Sequence, residues 1–177
     1  MKRLIIISFC ILTLTLIAKE PSVGISLGYP GPLIGFHIAK YNTENIGVKA
    51  SIYGSILTGI DTDDTYDNIS IHQAEDIFGD DFVKCKSEYY SGSISFLYRI
   101  KTTAWEVGLS YTELIKMNQY YDEYEILGSN GKYWIEAKKD NYVSPLLGVH
   151  LNGKKCITFV NFHSVPFLLN IGVLYKF

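Results

Sequence analysis

Apolar and polar residues alternate with a period of two over most of the chain, the spacing that sends successive side chains to opposite faces of a β-strand. The stretch PFLLNIGVLYKF at 166–177 is the clearest case, with Phe167, Leu169, Ile171, Val173, Tyr175 and Phe177 on one face. Eight such runs are predicted, near residues 22–29, 32–41, 45–58, 87–100, 103–117, 140–152, 155–163 and 166–177. The connections between them alternate in length. Asn42–Glu44, Lys101–Thr102 and Asn152–Lys154 are tight, whereas about 59–86 and 118–139 are long, and the short YPGP and HSVP stretches fall on the side of the long ones. This two-sided scheme predicts an all-β fold, an eight-stranded antiparallel up-and-down transmembrane β-barrel with its tight turns on the side of the termini.

Alternation alone does not say which face points outward, since a soluble ligand-binding barrel of the lipocalin kind would turn its apolar face inward. The residues on the other face decide. Ser22, Gly24, Ser26 and Gly28 oppose Val23, Ile25 and Leu27; Ser91, Ser93 and Ser95 oppose Ile94, Phe96 and Tyr98; Gly108, Ser110 and Thr112 oppose Trp105, Val107, Leu109 and Tyr111. Small polar residues suit a crowded narrow lumen better than a water-facing surface, which leaves the bulky face to lipid. The 14 Tyr and 15 Gly against 5 Pro agree with β structure. Rings cluster at both expected interfaces: Tyr41, Tyr98, Trp105, Tyr175 and Phe177 at the tight-turn ends, Tyr29, Tyr89, Tyr90, Tyr111, Tyr142 and Phe162 at the others.

The opening MKRLIIISFCILTLTLIAKE has Lys2 and Arg3, an apolar core from Leu4 to Ile17 and the small residue Ala18, the layout of a secretory signal peptide over 1–18, with a retained anchor as the other reading. The expected organisation is therefore a Sec-exported chain whose residues 19–177 form one barrel. Loss of Lys2 and Arg3 makes the formal charge more negative than the −2 of the whole chain, so no nucleic-acid partner is expected. Cys85 opens the fourth run and Cys156 the seventh, at opposite ends of a hydrocarbon core about 30 Å thick, so they are expected to be free thiols rather than a disulfide.

The leader, the eight alternating segments and the final IGVLYKF resemble the small eight-stranded outer-membrane β-barrel proteins of bacteria with two membranes, the OmpX- and OmpA-like group. That resemblance implies an outer-membrane location among lipid and lipopolysaccharide, at the cell surface of a Gram-negative envelope. It also implies that Ile171, Val173, Tyr175 and Phe177 form the assembly signal read by the barrel-assembly machinery.

Parity places Lys49, Arg99 and Glu106 in the lumen, with His37 and His150 also inward. Buried charges must be paired, so these predict a salt-bridge network that plugs the barrel rather than a porin-like path. The first long loop carries Asp61, Asp63, Asp64 and Asp67, weak candidates for a divalent cation because Tyr66 and His72 break the EF-hand spacing; no metal or other cofactor is expected. Ser70 and Gln73 read as a capping box for a short helix over 71–78. The second long loop reads as a prolonged hairpin reversing at Asn130-Gly131. Its rings Tyr120, Tyr121, Tyr124, Tyr133 and Trp134 are candidates for binding a host or envelope protein, or for packing against one another.

Some small outer-membrane barrels modify lipid A, which draws attention to His163-Ser164. Neighbouring strand residues point to opposite faces, and no acidic residue follows Asp140, so no catalytic residue is assigned and the chain is not expected to be an enzyme. The expected role is structural or surface-interacting, through adhesion or partner binding at the loops. A narrow transport barrel for small hydrophobic molecules is the alternative, ahead of a lipid A-modifying hydrolase.

Overall fold

Val23, Ile25 and Leu27 of β1 (Ser22–Tyr29) face outward, Leu27 with 68% of its surface exposed, while Ser22 and Ser26 between them are buried. The inversion of the usual soluble pattern repeats on other strands of the barrel. Ile94, Phe96 and Tyr98 are exposed and Ser91, Ser93 and Ser95 buried; Trp105, Val107 and Leu109 are exposed and Glu106, Ser110 and Thr112 buried. A continuous apolar exterior over a polar interior fits a hydrocarbon solvent, not water.

The computed structural model describes residues 21–30, 33–55, 65–66, 82–121 and 131–177. Its strands are β1, β2 (Leu33–Tyr41), β3 (Ile46–Ser55), β4 (Thr65–Tyr66), β5 (Phe82–Ile100), β6 (Thr103–Tyr121), β7 (Lys132–Asn152), β8 (Cys156–His163) and β9 (Leu168–Lys176). Eight of them form a closed antiparallel ring in the order β7-β6-β5-β3-β2-β1-β9-β8, shut by pairing of β8 with β7. Closure leaves the ring without a free edge, the condition for satisfying backbone groups inside a bilayer.

The chain divides into two compact units. Among the described residues, those of 21–55, 90–112 and 142–177 make the barrel unit, and those of 65–66, 82–89, 113–121 and 131–141 make the second. Within the barrel unit, β1, β2, β3, β8 and β9 have 8 to 10 residues each, close to what a tilted strand needs to cross the hydrocarbon layer. The turn Lys101–Thr102 has Lys101 at φ 57°, in the left-handed region that a two-residue hairpin requires.

The second unit holds β4, the first residues of β5, the last of β6 and the first of β7. β4, which the alternation does not predict, pairs parallel to β7 through Thr65↔Trp134 and Tyr66↔Ile135. Three strands outrun their expected limits: β5 starts at Phe82 rather than near 87, β6 reaches Tyr121 rather than 117, and β7 starts at Lys132 rather than 140. In those extensions polar and charged residues interrupt the apolar rhythm, and Lys139 of the β7 extension pairs across strands with Glu113 of β6 at 2.8 Å. Gly131 has φ 67°, as the reversal preceding β7 demands. The leader 1–18, Asp61, Asp63, Asp64, Asp67, the capped segment 70–78, Tyr124 and Asn130 lie outside the described residues.

Candidate functional site

Glu106 on β6 is the hub of the barrel interior. Lys49 on β3 donates to its Oε2 at 3.0 Å, and both side chains are fully buried. His150 on β7 donates through Nε2 to the same oxygen at 2.8 Å, and Asn161 Nδ2 on β8 adds a longer contact at 3.4 Å. Ser95 on β5 donates to Oε1 at 2.6 Å. One carboxylate thus joins five strands, and its two oxygens satisfy four donors, which is what burying a charge away from water requires.

The network spreads sideways from this hub. Asn161 Nδ2 also reaches the Tyr53 hydroxyl at 3.2 Å, and Asn170 Nδ2 donates to Asn161 Oδ1 at 3.1 Å. His37 is held between Ser51 (2.9 Å) and Ser26 (2.7 Å), with its ring edge-on to Phe159. Phe159 itself lies under the Lys49 ammonium, 3.8 Å from ring centroid to Nζ, and stacks with His150. The cation is therefore paired with a carboxylate and seated on a ring face.

Apolar residues lie on either side of this polar layer. Toward the tight turns, Ala39, Leu97, Ile157, Phe159 and Leu174 form a buried cluster with Tyr41 against it. Where β8 ends and β9 begins, Leu146, Leu168 and Leu33 are buried. Gly148 gives the hub its room, because a Cβ there would stand 2.7 Å from Glu106 Oε2 and 2.8 Å from Asn161 Cβ.

No family model matches the sequence, and no curated protein matches it. Solved structures do. The crystal structure of Ail, the attachment invasion locus protein of Yersinia pestis, in complex with the heparin analogue sucrose octasulfate superposes with a TM-score of 0.55 at 11% identity. The match covers 91% of this chain and 100% of that one. The backbone structure of Ail in a phospholipid bilayer nanodisc gives 0.53 at 12% identity, over 89% and 99% of the two chains. The fold is that of the small outer-membrane β-barrels.

Of the lumen residues expected for this barrel, Lys49 and Glu106 meet and His150 joins them, while His37 keeps to its own serines. Arg99 stands apart from the hub, its guanidinium 3.9 Å from the Tyr41 ring centroid. Sequence reasoning does not single out Ser95, Asn161, Tyr53 or Asn170 as partners in the network. Their inward parity is readable, but their meeting depends on strand register, which parity does not contain.

The barrel presents Ile171, Val173, Tyr175 and Phe177 on its exterior, with Tyr175 and Phe177 edge-to-face at 5.2 Å. His163 is buried, its ring edge-on to Tyr53, and neither ring nitrogen has a hydrogen-bond partner among the described residues. Ser164 is exposed in the turn that follows. In the second unit, Tyr120 stacks on Tyr133 at 5.9 Å and both are buried, as is Trp134, over which Lys84 and Lys86 each lie at 5.6 Å. Tyr121 is half-buried. Tyr120 and Tyr133 thus pack against each other, and with Trp134 they are buried residues of this unit. Cys85 and Cys156 are both free and exposed.

Proposed function

We propose that this outer-membrane barrel is a closed anchor whose second unit meets a partner outside the cell, a structural and surface-interaction role. The observation that carries this reading is the Glu106 hub: five strands donate or accept across the lumen, and apolar layers flank it on both sides. A solute path would need mobile or water-lined polar groups, whereas these are committed to one another. The tight turns then face the periplasm, and segments 57–89 and 113–141 face outward.

Charge supports a particular class of partner. Of the chain's 18 acidic residues, only Glu20, Glu44 and Glu106 lie outside those two segments. A surface so acidic attracts basic protein surfaces and repels polyanions, so the sulfated ligand in the Ail crystal structure does not carry over to this chain.

Retention of whole cells on surfaces coated with a basic protein and on heparin-coated surfaces tests the proposal. Cells producing the chain should be held on the basic surface in a salt-sensitive manner, and Asp61, Asp63, Asp64 and Asp67 changed together to Asn should weaken retention several-fold. Retention on heparin, or none on either surface, would overturn it. In planar bilayers the purified chain is expected to give no conductance steps.

A further inference from the structure

Every tight turn of the barrel unit carries or adjoins lysine. Lys40 lies one residue before the end of β2, Lys101 is in the β5–β6 turn, Lys154 and Lys155 are in the β7–β8 turn, and Lys176 ends β9. Lys101, Lys154 and Lys155 are exposed, and the Lys176 ammonium donates to the Gly153 carbonyl at 2.7 Å, which draws it to the same turn. Among the described residues of this unit, the only carboxylate side chains are those of Glu44 and Glu106, and Glu106 is consumed by the hub.

Backbone geometry does not choose these lysines. Lys101 stands at φ 57°, where Gly or Asn is the ordinary occupant of such a turn, so the side chain is retained in spite of the conformation. Nor do they sit at random depth. Tyr98, Trp105 and Tyr175 point outward just inside the same turns; Tyr98 pairs with Ile46 at the β2–β3 turn, and Tyr175 pairs with Cys156, directly after Lys155. Amphipathic rings settle at the headgroup level of a bilayer. Lysines one to three residues further on, at about 3.3 Å per residue, then reach the phosphates with their long stems.

We propose that this lysine rim binds anionic phospholipid in the leaflet around the tight-turn end, recognising phosphate headgroups that carry net negative charge. The inference rests on the membrane-spanning reading of the barrel. Each lysine near an anionic surface favours contact by about fivefold, and the effect weakens with salt. Trp105 lies at the rim, and Trp134 is the only other tryptophan, so the chain contains its own reporter.

The test uses the full chain with Trp134→Phe, reconstituted in phosphatidylcholine vesicles containing brominated phosphatidylglycerol or brominated phosphatidylcholine. Trp105 fluorescence should be quenched by the anionic lipid with a relative association constant of about five or more at low ionic strength, falling toward one as salt rises. Lys101→Gln, Lys154→Gln and Lys155→Gln together should bring the ratio near one while the unboiled protein keeps its fast-migrating band. Equal quenching by the two lipids at low salt, or a ratio unmoved by the triple variant, would overturn the proposal. A preference removed by inorganic phosphate at matched ionic strength would assign the rim to a free anion and overturn the lipid assignment. Quenching by neither lipid would instead sink the membrane-spanning reading itself.

Discussion

Lys49 Nζ and Glu106 Oε2 lie 3.0 Å apart with both side chains wholly buried, joining β3 to β6, strands that are not neighbours in the ring. Removing one charge strands the other away from water. Glu106→Gln is expected to cost about 3–5 kcal/mol, measured as the urea concentration at which the heat-modifiable folded band disappears. Lys49→Met combined with Glu106→Met should be far milder than the two single changes added together, because the double variant leaves no uncompensated ion. Additive losses would mean that the two residues do not depend on each other.

Gly148 and Gly54 make a matched pair. A methyl group at Gly148 runs into the Glu106 carboxylate and Asn161, whereas one at Gly54 meets nothing nearer than Tyr90 at 3.8 Å. Gly148→Ala should lose about 1–3 kcal/mol by overpacking, and Gly54→Ala should be close to neutral. The same urea titration reads both.

The exterior should tolerate charge according to depth. Ile25, 62% exposed near the middle of β1, is expected to lose about 2–4 kcal/mol as Ile25→Arg, while Tyr98→Arg beside the tight turns loses about 0–1. Refolding into vesicles at graded urea provides the comparison, and equal costs at both sites would contradict a lipid-facing exterior.

Two exposed thiols report orientation without any engineered label. A membrane-impermeant maleimide on intact cells should modify Cys85 and leave Cys156 until the outer membrane is permeabilised. The reverse pattern would invert the barrel, and labelling of both on intact cells would remove it from the membrane.

Phe177→Ser and Tyr175→Ser test the assembly role proposed for the outward residues of β9. The expected result is loss of the folded band from the outer-membrane fraction together with efficient refolding of the purified variant in detergent. Variants that fail equally in detergent would show a packing defect rather than a lost recognition element.

Strand number, face and closure were legible in the sequence because lipid outside and a narrow lumen inside each impose a period of two. The limits of β5, β6 and β7 were not, since Lys84 and Lys86 on β5, Asn118 and Gln119 on β6, and Lys138 and Lys139 on β7 interrupt the alternation in the second unit, where ion pairs such as Lys139–Glu113 form instead. Lys49 and Glu106 were readable as inward, yet Arg99 was read the same way and instead lies against Tyr41, because parity gives direction and not depth. For Tyr120, Tyr133 and Trp134 the sequence offered both packing and partner binding, and all three side chains are buried. An aromatic that builds a small core and one that greets a partner share one composition.

The β1–β9 seam pairs Ser22 with Lys176 and Tyr29 with Leu169, so the ring is completed by residues from nearly opposite ends of the chain. No shorter stretch of the polypeptide owns a finished cylinder. Until the final strand has been synthesised and delivered, the chain travels with Val23, Ile25, Leu27 and their counterparts unshielded and with strand edges open to unrelated chains. The topology thereby makes biogenesis, rather than equilibrium stability, the stage at which a damaged sequence is most readily lost.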